Sequence, residues 1–460
     1  MSNGAFSVAG KQVVVVGAAR SGVAAAELLV RRGARVTLTD TRNSLAEDAQ
    51  LRGHGVALEL GGHSPATLRS ADLIVLSPGV PPSQPAIAAA RAAGVPVIGE
   101  LELASRWLRG RLVAVTGTKG KSTTTTLTGR MLEAGGLRVL VGGNIGHALS
   151  AQVEASTDDT IHVVEASSFQ LEGTDTFHPW IAVLLNFSPD HLDRHADIAE
   201  YAAAKARIFA NQTPGDWALL NADDEPSQVL AHDARSRRLL FSTDRAIPEG
   251  VLVDGDAIVR RSGGGDQVLV PLSSVKLLGR HLLADVAAAA AVASIAGVEP
   301  AAMRHAVETF TGLEHALEPV LELAGVRFVN DSKATNIEAA LRAIESFGPG
   351  LVVILGGRFK GGDFGELRAA LLERGAKVVA IGEAAPLVRQ ALADAVVVHH
   401  ANDMAGAVRS AFAAASPGDT VVLAPACASF DMFKDYAERG RVFKQAVAKL
   451  ADDWSETREQ

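Results

Sequence analysis

The chain of 460 residues has a single cysteine, Cys427, so an intramolecular disulfide is excluded and a reducing compartment is expected. It lacks any apolar run near the ~18 residues that a membrane-spanning helix needs. The early run VVVV is short, has no basic segment before it and ends at Gly17, so it reads as a strand rather than a secretion signal. An excess of positive charge is missing as well. With 44 Lys and Arg against 52 Asp and Glu the formal net charge is −8, which gives no global footprint for nucleic acid or an anionic membrane and leaves only local basic sites for small anions. There is no repeat of solenoid period and no long low-complexity tract. These absences lead to the expectation of a cytoplasmic protein without a nucleic acid partner and without membrane insertion.

What is present is a folded composition, 48% hydrophobic and 21% charged, on a chain too long for one ordinary core. Strand and helix signals alternate almost throughout, which predicts α/β architecture with mostly parallel sheets. KQVVVVG, AARSGVAAAELLVRRG and ARVTLTD read as strand, helix and strand, and DLIVLSPGV and VPVIGE continue a first domain that closes near residue 108. RLVAVTG opens a second, followed by the strands of GLRVLVGGNIG, DTIHVVEASSFQ and WIAVLLNFSPDH. The Gly-rich span GVLVDGDAIVRRSGGGDQVLVPL reads as short antiparallel strands, and ADVAAAAAVASIAG as a helix. After GLEHALEPV a third series runs through VRFVNDS, GLVVILGG, AKVVAIG, AVVVHH and DTVVLAPA. The chain closes on a helix whose stripe of Phe433, Tyr436, Phe443, Val447 and Leu450 is expected to pack.

Ligands in open α/β sheets bind beyond the carboxyl ends of the strands, and five polar motifs fall there. GAARSG sets Gly17 and Gly22 at the outer positions of a dinucleotide fingerprint, with Ala19 at the middle one. Asp40 ends the next strand, where an acid can accept ribose hydroxyls, and Arg42 follows as a phosphate contact. A plain strand, turn and helix without a ligand explains these residues equally well. GTKGKST resembles a phosphate loop, but only two residues separate Gly117 from Gly120 where the usual pattern has four. Its place between a buried strand and a helix favours nucleotide binding over chance. Backbone N–H groups would cradle phosphates, Lys121 would neutralise them, Ser122 would hold Mg²⁺, and Leu127 and Met131 would face the core.

In VVEASSFQLEG, Glu165 ends a buried strand and suits Mg²⁺; a structural cap, with Ser167 or Ser168 starting a helix, is the equal alternative. In NFSPDHLDRH, His191 reads either as a ligand or as a structural histidine. Lys205 in YAAAKARIFA has apolar neighbours that would lower its pKa if they buried it, and a neutral amine can take up CO₂ as a carbamate. On residues alone, a solvated surface lysine is the plainer reading. Finally NDSKATN, LGGRFKGGDF and APACASFDMFKDYAERGR each follow a buried strand. They bring Lys333, Thr335, Lys360, Ser429 and Lys434 towards one sheet edge, which suits an anionic substrate better than a bland basic rim.

Together these motifs resemble the Mur ligases of cytoplasmic peptidoglycan synthesis, nearest to their MurD type, over essentially the whole chain. The resemblance implies three domains, a Rossmann-like one for the UDP-sugar at 1–108, a central P-loop ATPase at 109–314 and a Rossmann-like glutamate-binding one at 315–460. It implies a monomer that forms an acyl phosphate from ATP on UDP-MurNAc-L-Ala and then joins it to glutamate, of D or L form. Asp40, Thr41, Arg42 and Gly79 would hold the uridine diphosphate, with Asn144 beside the sugar. Gly117, Thr118, Lys119, Gly120, Lys121, Ser122 and Thr123 would hold ATP, with Asp331 and Lys333 also contacting it. Ser122, Glu165, His191 and Lys205 as a carbamate would hold two Mg²⁺ ions, with Lys121, His191 and Lys205 catalytic. Thr335, Lys360, Ser429 and Tyr436 would surround the glutamate. Three positions depart from the family: Leu282 and Asp285 replace asparagines that face adenine, and Ala316 replaces an arginine near the nucleotide. Rival readings are a folylpolyglutamate synthase, a nicotinamide-dependent oxidoreductase built on GAARSG, and a nucleotide-binding regulator without catalysis.

Overall fold

The alternation of buried strands with alanine-rich helices builds three separate sheets. A computed structural model describes residues 6–190, 194–275, 281–310 and 312–459. They form two compact units, the first from Met1–Val275 with His281–Thr309 and the second from Phe310–Gln460.

The first unit carries two sheets. In one, β1 (Gln12–Val16), β2 (Arg35–Asp40), β3 (Ala57–Leu60), β4 (Leu73–Leu76) and β5 (Val97–Gly99) lie in the order β3-β2-β1-β4-β5, all parallel. The order reverses between β1 and β4, so a crevice opens beyond their carboxyl ends. The helix Arg20–Arg31 packs tightly over β1 because residue 22 is glycine: a Cβ there would stand 1.8 Å from the Gly17 carbonyl oxygen.

The other sheet has nine strands. They are β6 (Arg111–Thr116), β7 (Arg138–Gly143), β8 (Thr160–Glu165), β9 (Ile181–Leu184), β10 (Trp217–Asn221), β11 (Arg237–Ser242), β12 (Gly250–Asp254), β13 (Ala257–Ser262) and β14 (Gly265–Pro271). Their order is β14-β13-β12-β11-β10-β9-β6-β8-β7, parallel until β12, β13 and β14 add an antiparallel edge, as the Gly-rich span predicts. β11 is a strand that RRLLFS does not announce, since its two arginines blur the alternation of faces.

The second unit holds β15 (Glu318–Leu323), β16 (Val326–Asn330), β17 (Leu351–Gly356), β18 (Lys377–Ile381), β19 (Val398–His400) and β20 (Thr420–Leu423) in the order β15-β16-β20-β17-β18-β19. Only β15 runs antiparallel. The carboxyl ends of β16, β20 and β17 therefore lie side by side. The closing helix is Tyr436–Glu459 and corrects the expected stripe in part: Phe433 packs against the core as expected but precedes the helix, and Tyr436 is 41% exposed. Phe443 and Val447 are fully buried, with Leu450 packed beside them. Among the described residues no helix is long and apolar enough to cross a membrane.

Within the first unit a short helix, Glu100–Ser105, joins the two sheets through a buried carboxylate. Glu102 accepts from the backbone N–H groups of Asp175, Thr176 and Phe177, from the Thr176 hydroxyl at 2.6 Å and from Arg106 Nε at 2.7 Å. Burial alone would push its pKa up, but these donors outweigh it and hold it below the ordinary 4.5. The contribution to stability is therefore complete above the ordinary carboxylate range and is lost as pH falls through the lowered pKa. Glu102→Gln turns an N–H group towards this donor cluster and is expected to cost roughly 3 kcal/mol of stability. Urea denaturation at neutral pH, followed by tryptophan fluorescence, checks it; an unchanged midpoint would contradict the assignment.

Candidate functional site

The short phosphate loop follows β6 and leads into the helix Lys121–Ala134, whose Leu127 and Met131 are fully buried, as expected. Its missing residues are made up by bonds to the segment after β9. Thr118 N donates to the Asn186 carbonyl, Lys119 N to Asn186 Oδ1 at 2.9 Å, and Asn186 Nδ2 to the Lys119 carbonyl. The Thr118 hydroxyl donates to the Ser188 carbonyl, so the Tyr201 hydroxyl, 3.3 Å away, is the donor to Thr118. Asn186 and Tyr201 escape a sequence reading because only the sheet order, β9 beside β6, brings them to the loop.

Gly120 is the N-cap of this helix, with φ +79°, in the left-handed region that glycine tolerates. A Cβ there would lie 2.1 Å from Asp285 Oδ1. Asp285 sits on the helix His281–Ile295 and is 4% exposed, beneath the loop rather than open to a base. Its Oδ2 is buried with no donor within hydrogen-bond distance, and burial pushes its carboxyl well up, against the pull of the neighbouring Thr124 hydroxyl and then of the Lys121 charge. Leu282 on the same helix is half-buried.

Two lysines converge on one carbonyl. Lys121 Nζ donates to the Gly117 and Thr118 carbonyls at 3.0 and 2.9 Å, and Lys205 Nζ donates to the Gly117 carbonyl at 2.8 Å. The plain reading of Lys205 as a solvated lysine is overturned, because it is 1% exposed. It projects from the helix Ile198–Ala206, with Nζ 4.7 Å from the centroid of the Tyr201 ring. Burial, then the Lys121 charge, lower its pKa to about 7 against an opposing pull from Asp190. Alanine neighbours in the sequence mark an apolar helix but not which way it faces.

Glu165 ends β8 beside β6. One oxygen accepts from Asn144 Nδ2 at 2.7 Å, and the other, Oε2, is buried with no partner. Ser167 caps the next helix in a capping box with Gln170, as the alternative reading expects, and Glu165 takes no part in that box. A buried carboxylate oxygen left without a donor at a sheet edge suits a hard cation such as Mg²⁺. Among the described residues no group of three His, Cys, Asp or Glu could hold a metal; His191 lies outside the described residues.

Beyond β1 and β4 a cavity of about 370 Å³ is lined by Ala19, Arg20, Ser77, Gly79, Asn144 and Gln170, among others. It brings together the predicted Gly79 and Asn144, and Arg20 donates to the Asn144 carbonyl at 3.3 Å. Asp40 stands beside it at the end of β2. Its carboxylate accepts from Ala18 N and pairs in bidentate fashion with Arg42, whose Nε and Nη2 lie 2.9 and 3.0 Å away. Hydrogen bonding from Arg42 holds the Asp40 carboxyl well below the usual range. Thr41 between them is exposed.

In the second unit the predicted residues gather on three neighbouring loops. Lys333 and Thr335 follow β16, Lys360 follows β17, and Ser429 follows β20, with Tyr436 opening the last helix. The loops are laced together: Ala426 N donates to the Ala334 carbonyl, and Arg358 and Ala428 exchange backbone bonds. Lys333 and Lys360 are exposed, while Ser429 is buried. Asp331 is buried, accepts from Leu317 N at 3.1 Å, and is pushed up by that burial to about 7. Ala316, half-buried, precedes Leu317 on the loop that Asp331 supports.

Three family models match successive parts of the chain: the Mur ligase MurD-like N-terminal domain over residues 11–99, the Mur ligase middle domain over 115–293 and the Mur ligase glutamate ligase domain over 315–427. A UDP-N-acetylmuramoylalanine–D-glutamate ligase from Koribacter versatilis is 45% identical, covering 97% of this chain and 99% of that protein. One of the same name from Acidobacterium capsulatum is 48% identical over 95% and 96%. Among solved structures, the UDP-N-acetylmuramate–alanine ligase MurC of Thermotoga maritima shares the fold with a TM-score of 0.62 at 18% identity, covering 96% of this chain and 100% of that one. A MurF structure from Acinetobacter baumannii does so with a TM-score of 0.57 at 17% identity, over 97% and 92%. With an ATP-type phosphate loop in its middle domain and near-full-length identity of this order, the chain belongs to the Mur ligase family, on its MurD-like branch.

Proposed function

We propose that this ATP-dependent ligase joins D-glutamate to UDP-N-acetylmuramoyl-L-alanine, acting in the cytoplasm as a monomer in peptidoglycan precursor synthesis. The observation that carries the reading is the 45–48% identity, over nearly the whole of both chains, with ligases of that name. The three domains are taken to run over 1–108, 109–314 and 315–460. The Asp40–Arg42 pair, Thr41 and Gly79 would receive the uridine diphosphate, and Asn144 the sugar. Gly117–Thr123 would receive the ATP phosphates. Asp331 and Lys333 would contact the nucleotide, and Thr335, Lys360, Ser429 and Tyr436 the glutamate.

In the first step a carboxylate oxygen of the alanyl group bonds to the γ-phosphorus of ATP as the bond to the ADP oxygen breaks. In the second, the glutamate nitrogen bonds to the acyl carbon, loses a proton, and phosphate leaves. Most of the acceleration comes from orientation and charge neutralisation. Lys121 would exchange its carbonyl acceptors at Gly117 and Thr118 for phosphate oxygens. Ser122, Glu165, His191 and Lys205 as a carbamate would hold two Mg²⁺ ions, and the orphan oxygen of Glu165 supports that role. Bound there, Mg²⁺ would offset the negative charge between γ-phosphate and carboxylate. Lys205 suits carbamate formation because a pKa of about 7 leaves much of its amine neutral near physiological pH. Its nitrogen can then bond to the carbon of CO₂ with loss of one proton.

Phosphate release measured with UDP-N-acetylmuramoyl-L-alanine, ATP and Mg²⁺ is expected to depend on D-glutamate, with L-glutamate at least about 100-fold poorer in kcat/KM. No release with either enantiomer would sink the reading, and preference for L-glutamate would correct its stereochemistry.

A further inference from the structure

The largest fully buried side chain among the described residues is a cation, Arg439, in the first turn of the helix Tyr436–Glu459. It is 2% exposed, yet every acceptor it uses is neutral. Nε donates to the Ser332 hydroxyl at 2.9 Å, Nη2 to the Ser332 carbonyl at 2.8 Å, and Nη1 to the Cys427 carbonyl at 3.0 Å. Burial pushes its pKa down to about 10, so it remains charged at neutral pH. Asp431 lies within electrostatic range, but its Oδ2 accepts from Glu383 N, and its Oδ1 is buried with no partner. A buried charge without a hydrogen-bonded counter-charge is costly, and a fold that only needed packing would do as well with an apolar side chain.

The neighbours of the guanidinium explain its place. Ser332 lies in the loop after β16 that carries Lys333 and Thr335, and its hydroxyl donates onward to the Tyr436 carbonyl at 2.8 Å. Cys427 lies in the loop after β20 that leads to Ser429. Gly357, at the head of the loop bearing Lys360, packs so closely that a Cβ would come within 3.2 Å of Arg439 Nη1 and 2.3 Å of the Ala428 carbonyl oxygen. One planar fork thus sits beneath all three loops, in a geometry that lysine cannot reproduce.

We propose that Arg439 is a positioning residue for the amino-acid substrate: it fixes the three loops in one arrangement and adds a buried positive charge beneath the place where the substrate's carboxylates bind. This rests on the reading that these loops receive an anionic amino acid. The hydrogen-bond acceptors are neutral and Asp431 acts on the guanidinium only through space, so much of its field remains, and a low-dielectric surrounding carries that field to a nearby anion. Because the charge cannot move away, it contributes without reorganisation.

The test is steady-state phosphate release by the full chain, with UDP-N-acetylmuramoyl-L-alanine, ATP and each glutamate enantiomer varied in turn. Arg439→Met is expected to raise the KM for glutamate at least about 10-fold, with the KM for the UDP-sugar within about 2-fold of wild type. Arg439→Lys, which keeps the charge but loses the fork, is expected to fall between the two. Equal rises in both KM values, or a wild-type KM for glutamate in Arg439→Met, would overturn the proposal. Should Arg439→Met not fold, Ser332→Ala removes the hydroxyl acceptor alone and is expected to raise the glutamate KM about 3-fold; no change there would overturn it equally. A wild-type enzyme that releases no phosphate with either enantiomer would instead remove the underlying reading.

Discussion

The Lys205→Ala enzyme is expected to retain no more than about one thousandth of wild-type phosphate release, because in the proposed carbamate role its loss would remove a metal-holding anion and several kcal/mol of charge neutralisation. Lys205 has no surface role that could explain its place: it is 1% exposed, and its amine bonds the same Gly117 carbonyl as Lys121. Truncation leaves a cavity next to the phosphate loop where a small carboxylate could stand in for the carbamate. Formate, acetate or propionate at tens of millimolar is therefore expected to restore part of the activity. Wild-type enzyme in CO₂-depleted buffer is expected to slow reversibly and to recover on adding bicarbonate. Full activity of Lys205→Ala without any additive would end the carbamate assignment. Loss without rescue, accompanied by a lower melting temperature, would reduce Lys205 to a structural residue.

The second large effect is expected at Gly120. Alanine there meets two separate obstacles, the left-handed φ of +79° and the Asp285 oxygen 2.1 Å from the new Cβ. The first costs about 1–2 kcal/mol for any residue with a Cβ. The second cannot be relieved cheaply, because Asp285 is packed between helices and its carboxyl is buried. Gly120→Ala is expected to weaken ADP binding at least about 100-fold, which corresponds to about 2.7 kcal/mol. The double variant Gly120→Ala, Asp285→Ala removes the clash but not the backbone strain, so it is expected to regain only part of that loss. Titration with a fluorescent ADP analogue reads both variants. If the double variant binds no better than the single one, the contact with Asp285 is not what requires glycine.

These two residues also mark where the sequence is informative and where it falls silent. The phosphate loop is legible because its signal is local: a buried strand, a glycine turn and a helix within about twenty residues. The three loops of the second unit are legible for the same reason, each trailing a run of buried β-branched residues. Relations that depend on strand order are not. Asn186 reaches the phosphate loop only because β9 lies beside β6, and nothing in NFSPDH announces that neighbour. The family pattern aligns Asp285 with a residue that faces adenine, but in the fold its carboxyl lies beneath the phosphate loop, a position set by packing of two helices far apart in the chain. Arg439 reads as one more arginine in DYAERGR; its burial follows from the loops folded over it. The acids of ELELAS look like the polar face of a short helix, yet Glu102 is fully buried because the loop at Asp175–Phe177 offers it three N–H donors.

The seat of Asp285 beneath Gly120 also bears on how the protein is made. The helix that carries Asp285 leaves the ribosome roughly 160 residues after the loop it supports, a delay of roughly 10–30 s at ordinary rates of synthesis. The strand before the loop waits too, since β6 pairs with β8 and β9, and both emerge later. During that interval the nascent chain holds a glycine turn and a threonine-rich helix with no floor beneath them. A ribosome-bound fragment ending before residue 281 should therefore present the whole GTKGKST motif and still fail to retain nucleotide.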